Sequence, residues 1–294
     1  MQGDYAVQRL TAKYLLNKPI KYVETGWISQ FLSFYNQKTK MWGNGIYGPK
    51  WISTFYTLKD LISLEVDPNN KIVKEALNSI IDNLEDLKWN GKHDICVVAM
   101  LLSMVLYIDN KNKIIKSLVD ELTTHQHKDG GWNCASKSEV GSVHTTLSVL
   151  EAYRDLKLNK ITYKKATINK QEKLGQQYLL KRKLMYRLSN NRLIFSGIDK
   201  PHFPVRWKYD VYRALAYFAS INYKENANLT PGINLLRKEL KKGFVGKGIS
   251  YSGLTHFKLE TKDIGYMNTL IGLKILKFYD KPLFNLVTKK QLSK

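Results

Sequence analysis

The 294-residue chain has few cysteines, few acidic side chains and no long apolar run. Each shortage excludes something. Two cysteines, Cys96 and Cys134, cannot form the disulfide framework of a small secreted domain. The longest apolar stretch, Ile95 to Ile108, covers 14 residues with one serine among them. That is too short to span a bilayer and suits a helix buried on all sides. Met1 to Leu10 holds no apolar core, so no secretory leader is expected. The expected setting is the reducing cytoplasm.

Acidic residues number 25 against 47 lysines and arginines, a net charge of +22. The excess is densest from Arg154 to Arg187, where eleven basic residues face two acidic ones. One reading is a surface that attracts anions, including a weak association with a membrane surface. The other is a solvated outer helix face. Lysine dominates and no nucleic-acid-binding motif occurs, so no nucleic acid partner is expected. The sequence identifies no protein partner. What is present is core material: 44% of residues are apolar, with 18 Tyr, 10 Phe and 6 Trp. Charged residues make up 24%, which is not a disordered composition.

The chain repeats itself. A lysine-rich amphipathic helix is followed by a loop rich in Gly, Trp, Asn and Tyr, then by a nearly all-apolar helix. The apolar helices begin near Trp51, His93, His144, Trp207 and Tyr266, at intervals of about 42, 51, 63 and 59 residues. The pattern predicts a first helix over 4–35, interrupted at Pro19, followed by 51–63. Four further pairs are predicted: 70–83 with 94–108, 113–124 with 143–156, 164–186 with 208–221, and 231–241 with 266–278. The apolar stripe of Lys71-Ile-Val-Lys-Glu-Ala-Leu-Asn-Ser-Ile-Ile81 recurs at three- and four-residue spacing, as in an outer helix with one wet face. The expected fold is all-α: one domain over 1–294, an α/α toroid of five helical hairpins with the apolar helices inside. Their N-termini would then share one rim, where free N–H groups favour anionic ligands.

Gln126-His-Lys-Asp-Gly-Gly-Trp132 resembles the QW repeat of squalene–hopene and oxidosqualene cyclases, and a similar turn occurs in protein prenyltransferase β subunits. In that family the Gln caps a helix end and the Trp stacks on it, a structural role. Degenerate copies stand at Lys40-Met-Trp-Gly and Lys241-Lys-Gly-Phe. Tyr47-Gly-Pro-Lys-Trp-Ile-Ser-Thr54, His144-Thr-Thr-Leu-Ser-Val-Leu-Glu151 and Arg206-Trp-Lys-Tyr-Asp-Val-Tyr-Arg213 look like short bacterial proteins of the prenyltransferase and squalene-cyclase repeat group. The resemblance spans nearly the whole chain. It implies a terpenoid-cyclase or prenyltransferase-like protein acting on an isoprenoid or other lipophilic molecule in a central cavity. Two family features are missing: the Asp-x-Asp-Asp acid motif and the Asp-Asp-x-x-Asp diphosphate–magnesium motif.

The same resemblance implies a zinc site. Protein prenyltransferases place an Asp-x-Cys pair at one inner-helix start and a His at a later one. The matching residues here are Asp94, Cys96 and His144, and Cys134 can stand in for Asp94. Thiolate, imidazole and carboxylate suit tetrahedral zinc, with one position left open for a substrate thiolate. Residues two apart on a helix diverge, so Asp94 and Cys96 converge only before regular turns begin. His93 and Cys96, three apart, would converge within a helix. Without a metal, Asp94 would be an N-cap, Cys96 a small buried apolar residue and His144 a hydrogen-bonded core histidine.

Asp210 is the second candidate. As a general acid at the rim it would work beside Trp207 and Tyr209, whose faces can stabilise a carbocation. As a structural residue it would pair with Arg213 one turn on. Trp42, Tyr47, Trp51, His93, Arg206, Tyr209 and Tyr266 would surround the cavity mouth or, with Trp132, pack between hairpins. Three functions follow. One is a terpenoid enzyme using Asp94, Trp207 and Asp210. Another is a zinc-dependent thiol transferase or cyclase using Asp94, Cys96 and His144. The last is a non-catalytic module that binds a lipid or a protein.

Overall fold

The computed structural model describes residues 3–89, 92–135, 138–261 and 263–292. The protein is all-α. Twelve α-helices stand among the described residues: α1 Tyr5–Tyr14, α2 Gly26–Ser33, α3 Thr54–Ser63, α4 Lys71–Asp82, α5 Ile95–Ile108, α6 Ile114–Thr124, α7 Val143–Leu158, α8 Lys165–Lys181, α9 Val211–Ser220, α10 Thr230–Lys241, α11 Tyr266–Tyr279 and α12 Lys281–Leu292. The only paired strands among these residues form a two-residue ladder just before α5, β1 Lys88–Trp89 against β2 Lys92–His93. No described helix is long and apolar enough to cross a membrane.

The predicted pairs lie within a few residues of the observed helices from α3 onward, and local chemistry sets their ends. Asn70 caps α4 by accepting from the Ile72 and Val73 N–H groups. Asp210 caps α9 by accepting from the Arg213 N–H. Two segments differ from expectation. The stretch 4–35 is two helices with residues 15–25 between them, a longer break than Pro19 alone explains. In addition, α12 follows the last expected hairpin; the Asp280 side chain accepts from the Leu283 N–H at its first turn.

The helices form two compact units. One contains residues 28–179 and 252–257. In it α5 packs against both α3 and α7, with α4 and α6 behind it. α5 is buried on almost every face, including Val98, Leu101, Leu102 and Val105, whereas α4 buries only the stripe Val73, Ala76, Leu77 and Ile80. This matches the expected split between apolar and amphipathic helices. The other unit contains residues 1–27, 180–251 and 258–294. There α11 packs against α9 and α1, backed by α10 and α12. The first helix of the chain thus packs beside the last apolar one.

One hydrogen-bonded clamp recurs in both units. The Trp42 N–H donates to the Thr54 hydroxyl (3.1 Å), which is 3.4 Å from the Trp42 carbonyl. Trp132 and Thr146 repeat this at 3.0 and 3.4 Å, and Val245 and Thr269 at 2.9 and 3.2 Å. Each clamp ties the loop residue to the first turn of the next apolar helix, satisfying backbone groups that would otherwise be buried alone. The third copy shows why the degenerate Lys241-Lys-Gly-Phe match is inexact: Val245 takes the tryptophan's place, and Phe244 stays partly exposed.

The glycine–tryptophan motif joins three helices. Trp132 is fully buried and donates through its indole N–H to the Leu122 carbonyl at the end of α6. Its ring meets Tyr153 of α7 edge-on at 5.8 Å. Gln126 donates to the Gln171 carbonyl of α8. Gly175 of α8 has no side chain because a Cβ there would lie 2.8 Å from the Trp132 ring. The Gln and Trp therefore act as structural ties.

Candidate metal centre

The site is built where β2 ends and α5 begins. Asp94 occupies the N-cap position of α5 with an extended backbone (φ −66, ψ 123), and its side chain caps no first-turn N–H. That extended residue turns the Asp94 carboxylate to the side taken by Cys96, the second residue of the helix. Geometry therefore resolves the divergence expected within a regular helix. The third donor is Cys134, two residues beyond Trp132. The ligand atoms of Asp94, Cys96 and Cys134 all lie within 4.8 Å of one another.

Local structure fixes Cys134. The Trp132–Thr146 clamp holds one side of its loop, and the Ser142 N–H donates to the Trp132 carbonyl at 2.7 Å. Asp129 braces both arms, accepting from the Gly131 and Gly141 N–H groups at 3.0 and 2.9 Å. Asn133 reaches across to the Val140 carbonyl at 2.9 Å. So held, the Cys134 Sγ accepts the Cys96 backbone N–H at 3.2 Å and lies 3.3 Å from the Thr145 hydroxyl of α7. Cys134 thus does at the start of α5 what Asp94 would do as an ordinary N-cap.

These contacts shape the titration of the group. A hydrogen bond between the two thiol groups is the main influence holding the Cys134 thiol below its ordinary range, against its burial; Thr145 and the Cys96 backbone N–H add to it. The same hydrogen bond, then burial, pushes Cys96 well up. Burial raises Asp94, and the positive charge of Lys50 works against that rise. Tyr47 is pushed up to about 12, mainly by burial, with charge on Cys96, Asp94 and Cys134 adding to it. Lys50 lies over the faces of Tyr47 (4.9 Å), Trp51 (5.7 Å) and Tyr56 (5.9 Å), and the Tyr56 and Tyr47 hydroxyls are 3.0 Å apart. An exposed ammonium and the Tyr47 ring therefore adjoin two thiols and a carboxylate.

Of the residues singled out from sequence, Asp94, Cys96 and Cys134 come together, and Cys134 joins Asp94 instead of replacing it. His144 is not in the group. Neighbouring helical residues point about 100° apart, and it is Thr145 that faces Cys134. The His93 side chain lies outside the described residues. Trp42 is fully buried and donates to the Phe31 carbonyl (2.7 Å), and Trp51 donates to the Ser252 carbonyl (2.7 Å), so both pack the fold.

In the other unit, Asp210 is buried and accepts three contacts: the Arg213 N–H (2.8 Å), the His202 N–H (3.1 Å) and His202 Nδ1 (3.1 Å). Arg213 sends its guanidinium to the Trp207 and Lys208 carbonyls. Asp210 therefore orders the start of α9, bonding to a backbone N–H of Arg213. Tyr209 is buried and donates to the Leu184 carbonyl, the Arg206 guanidinium covers the Tyr251 ring at 5.1 Å, and Tyr266 packs within 3.1 Å of the Cβ position of Gly3. Sequence reading missed Thr145, Lys50 and His202. The Thr-Thr pair after His144 and the Lys-Trp pair at 50–51 were visible but carry no signal until the fold places them. His202, eight residues before Asp210, had none.

Compared with known proteins, the chain matches no family model and no curated protein.

Proposed function

We propose that the protein is a metal-dependent thiol transferase in which Asp94, Cys96 and Cys134 hold zinc and leave a fourth position for a substrate thiolate. The observation that carries this reading is the convergence of two sulfurs and a carboxylate within 4.8 Å, with that carboxylate not used to cap its helix. Two soft thiolates and one carboxylate suit zinc better than calcium or magnesium, which prefer all-oxygen sites. Three protein ligands, not four, are the donor count of a catalytic zinc site.

When bound, zinc lowers the pKa of a coordinated thiol and keeps it nucleophilic at neutral pH. The chain's own residues would do the rest. Thr145 and the Cys96 N–H orient the Cys134 sulfur, as outer hydrogen bonds do at metal sites. The half-buried Tyr47 ring would offer an apolar face to the group being transferred and can stabilise positive charge developing on its carbon. Lys50 supplies a cation for an anionic leaving group. The resemblance to prenyltransferases makes an isoprenoid the first alkyl donor to try. In the alternative terpenoid-cyclase reading Asp210 would donate a proton, but its hydrogen bonds commit it to ordering α9.

Metal analysis of the purified full-length protein tests the proposal. About one zinc per chain is expected, falling sharply in Cys96→Ser and Cys134→Ser. Transfer of a prenyl group from a C15 or C20 diphosphate to a thiol peptide should depend on that metal. Absence of stoichiometric metal after growth in zinc, together with no uptake by the chelated protein, rules the reading out.

A further inference from the structure

We propose that Cys96 and Cys134, when free of metal, form a thiol–disulfide exchange site that a small disulfide such as glutathione disulfide oxidises to an intramolecular disulfide. The inference uses the same two cysteines as the proposed metal centre, but it concerns the chain without metal and does not depend on zinc.

The two Sγ atoms lie within 4.8 Å, and the Cys134 Sγ already touches the Cys96 backbone nitrogen at 3.2 Å. A disulfide requires the sulfurs to close to about 2.05 Å. The backbone of one cysteine already contacts the sulfur of the other, so side-chain rotation supplies most of that approach. The partners are 38 residues apart in sequence and lie on independently anchored elements. Cys96 sits in the first turn of α5, and Cys134 sits in a loop tied down through Trp132, Asp129 and Asn133. The pair is therefore held together by the fold and does not meet by chance.

The geometry assigns the order of attack. The Cys134 Sγ is held by the Cys96 N–H at 3.2 Å and by contact with the Thr145 hydroxyl at 3.3 Å, so it stays in place as the first nucleophile while the Cys96 side chain turns toward it. Both cysteines are half-buried, so neither is closed off from solvent.

The chemistry balances. The Cys134 thiolate attacks one sulfur of glutathione disulfide; the S–S bond of that molecule breaks and one glutathione thiolate leaves. Cys96 then gives its proton to solvent, and its sulfur attacks Cys134 Sγ in the mixed disulfide. The Cys96–Cys134 bond forms as the second glutathione thiolate departs and is protonated. Two protein thiols are oxidised, and one glutathione disulfide becomes two glutathiones.

The test uses full-length protein, freed of metal with a chelator, reduced, desalted and exposed to glutathione disulfide. The expected result is loss of both titratable thiols and a Cys96–Cys134 cross-linked peptide under non-reducing digestion, reversed by dithiothreitol. Cys96→Ser should trap a stable glutathione adduct on Cys134, and Cys134→Ser should leave Cys96 reacting at least tenfold more slowly. Two free thiols after oxidation, or glutathione on both cysteines without a cross-link, overturns the proposal. Faster reaction at Cys96 than at Cys134 overturns the order of attack. Zinc content, measured separately on the untreated protein, decides the metal reading, so the two can fail independently.

Discussion

The sulfur of Cys134 lies 3.2 Å from the backbone nitrogen of Cys96 and caps the first turn of α5. A cysteine 38 residues away in sequence thereby takes over a role usually filled by the residue just before a helix, and Asp94 is left to face the same point in space.

The contact between the two thiol groups beside this cap sets the chemistry of the metal-free protein. The Cys134 thiol should ionise below the ordinary thiol range and Cys96 above it. A depressed pKa means that the thiolate is present at a lower pH, so the iodoacetamide reactivity of Cys134 should rise first as pH increases. Cys96→Ala removes the largest stabilising contact and should move the Cys134 midpoint upward. Rate–pH profiles read by peptide mapping check both, and equal midpoints for the two cysteines would contradict the assignment.

Thr145 should matter to metal affinity without being a ligand. Thr145→Val keeps the shape and removes the hydroxyl 3.3 Å from Cys134. Loss of such an outer hydrogen bond should weaken zinc binding about tenfold, read by competition with a chromophoric chelator. Unchanged affinity would show that the hydroxyl does not support the sulfur.

The fold's main tie is Trp132. Trp132→Ala should cost about 3–5 kcal/mol, the range for emptying a fully buried aromatic site. Gly175→Ala presses a methyl group 2.8 Å from that ring and should cost about 1–3 kcal/mol. Urea unfolding of each variant measures both, and a loss under about 0.5 kcal/mol, the ordinary surface value, would contradict the packing.

Asp210 gives a discriminating case. Asp210→Ala leaves the Arg213 and His202 donors without their buried acceptor, and stability should fall by about 2–4 kcal/mol. The structural role predicts that loss whatever the activity. A variant that melts like the parent would return Asp210 to the list of catalytic candidates.

The helices were legible in the sequence because burial leaves a periodic trace. The nearly all-apolar run Ile95–Ile108 is α5 to the residue, and the spaced stripe from Lys71 marks α4. The break after Tyr14 and the extra helix α12 were harder to read, since α12 has no clear apolar excess and Pro19 marks only one point of the longer break. The site was half legible. Asp94 and Cys96 announce themselves by spacing at a helix start. Seeing that Cys134 joins Asp94, rather than replacing it, and that His144 stays out requires the rotation of α7 to within one residue and the position of Cys134 after Trp132. Neither is written in local pattern; both depend on the clamp between Trp132 and Thr146.

Cobalt titration of the metal-free protein tests the central claim most directly, because cobalt reports its ligands by colour. The account predicts saturation at one equivalent with an intense thiolate-to-metal absorption, weakened by about half in Cys96→Ser and in Cys134→Ser and retained in His144→Ala. A spectrum of aqueous cobalt alone, or one lost with His144 and indifferent to Cys134, would contradict it.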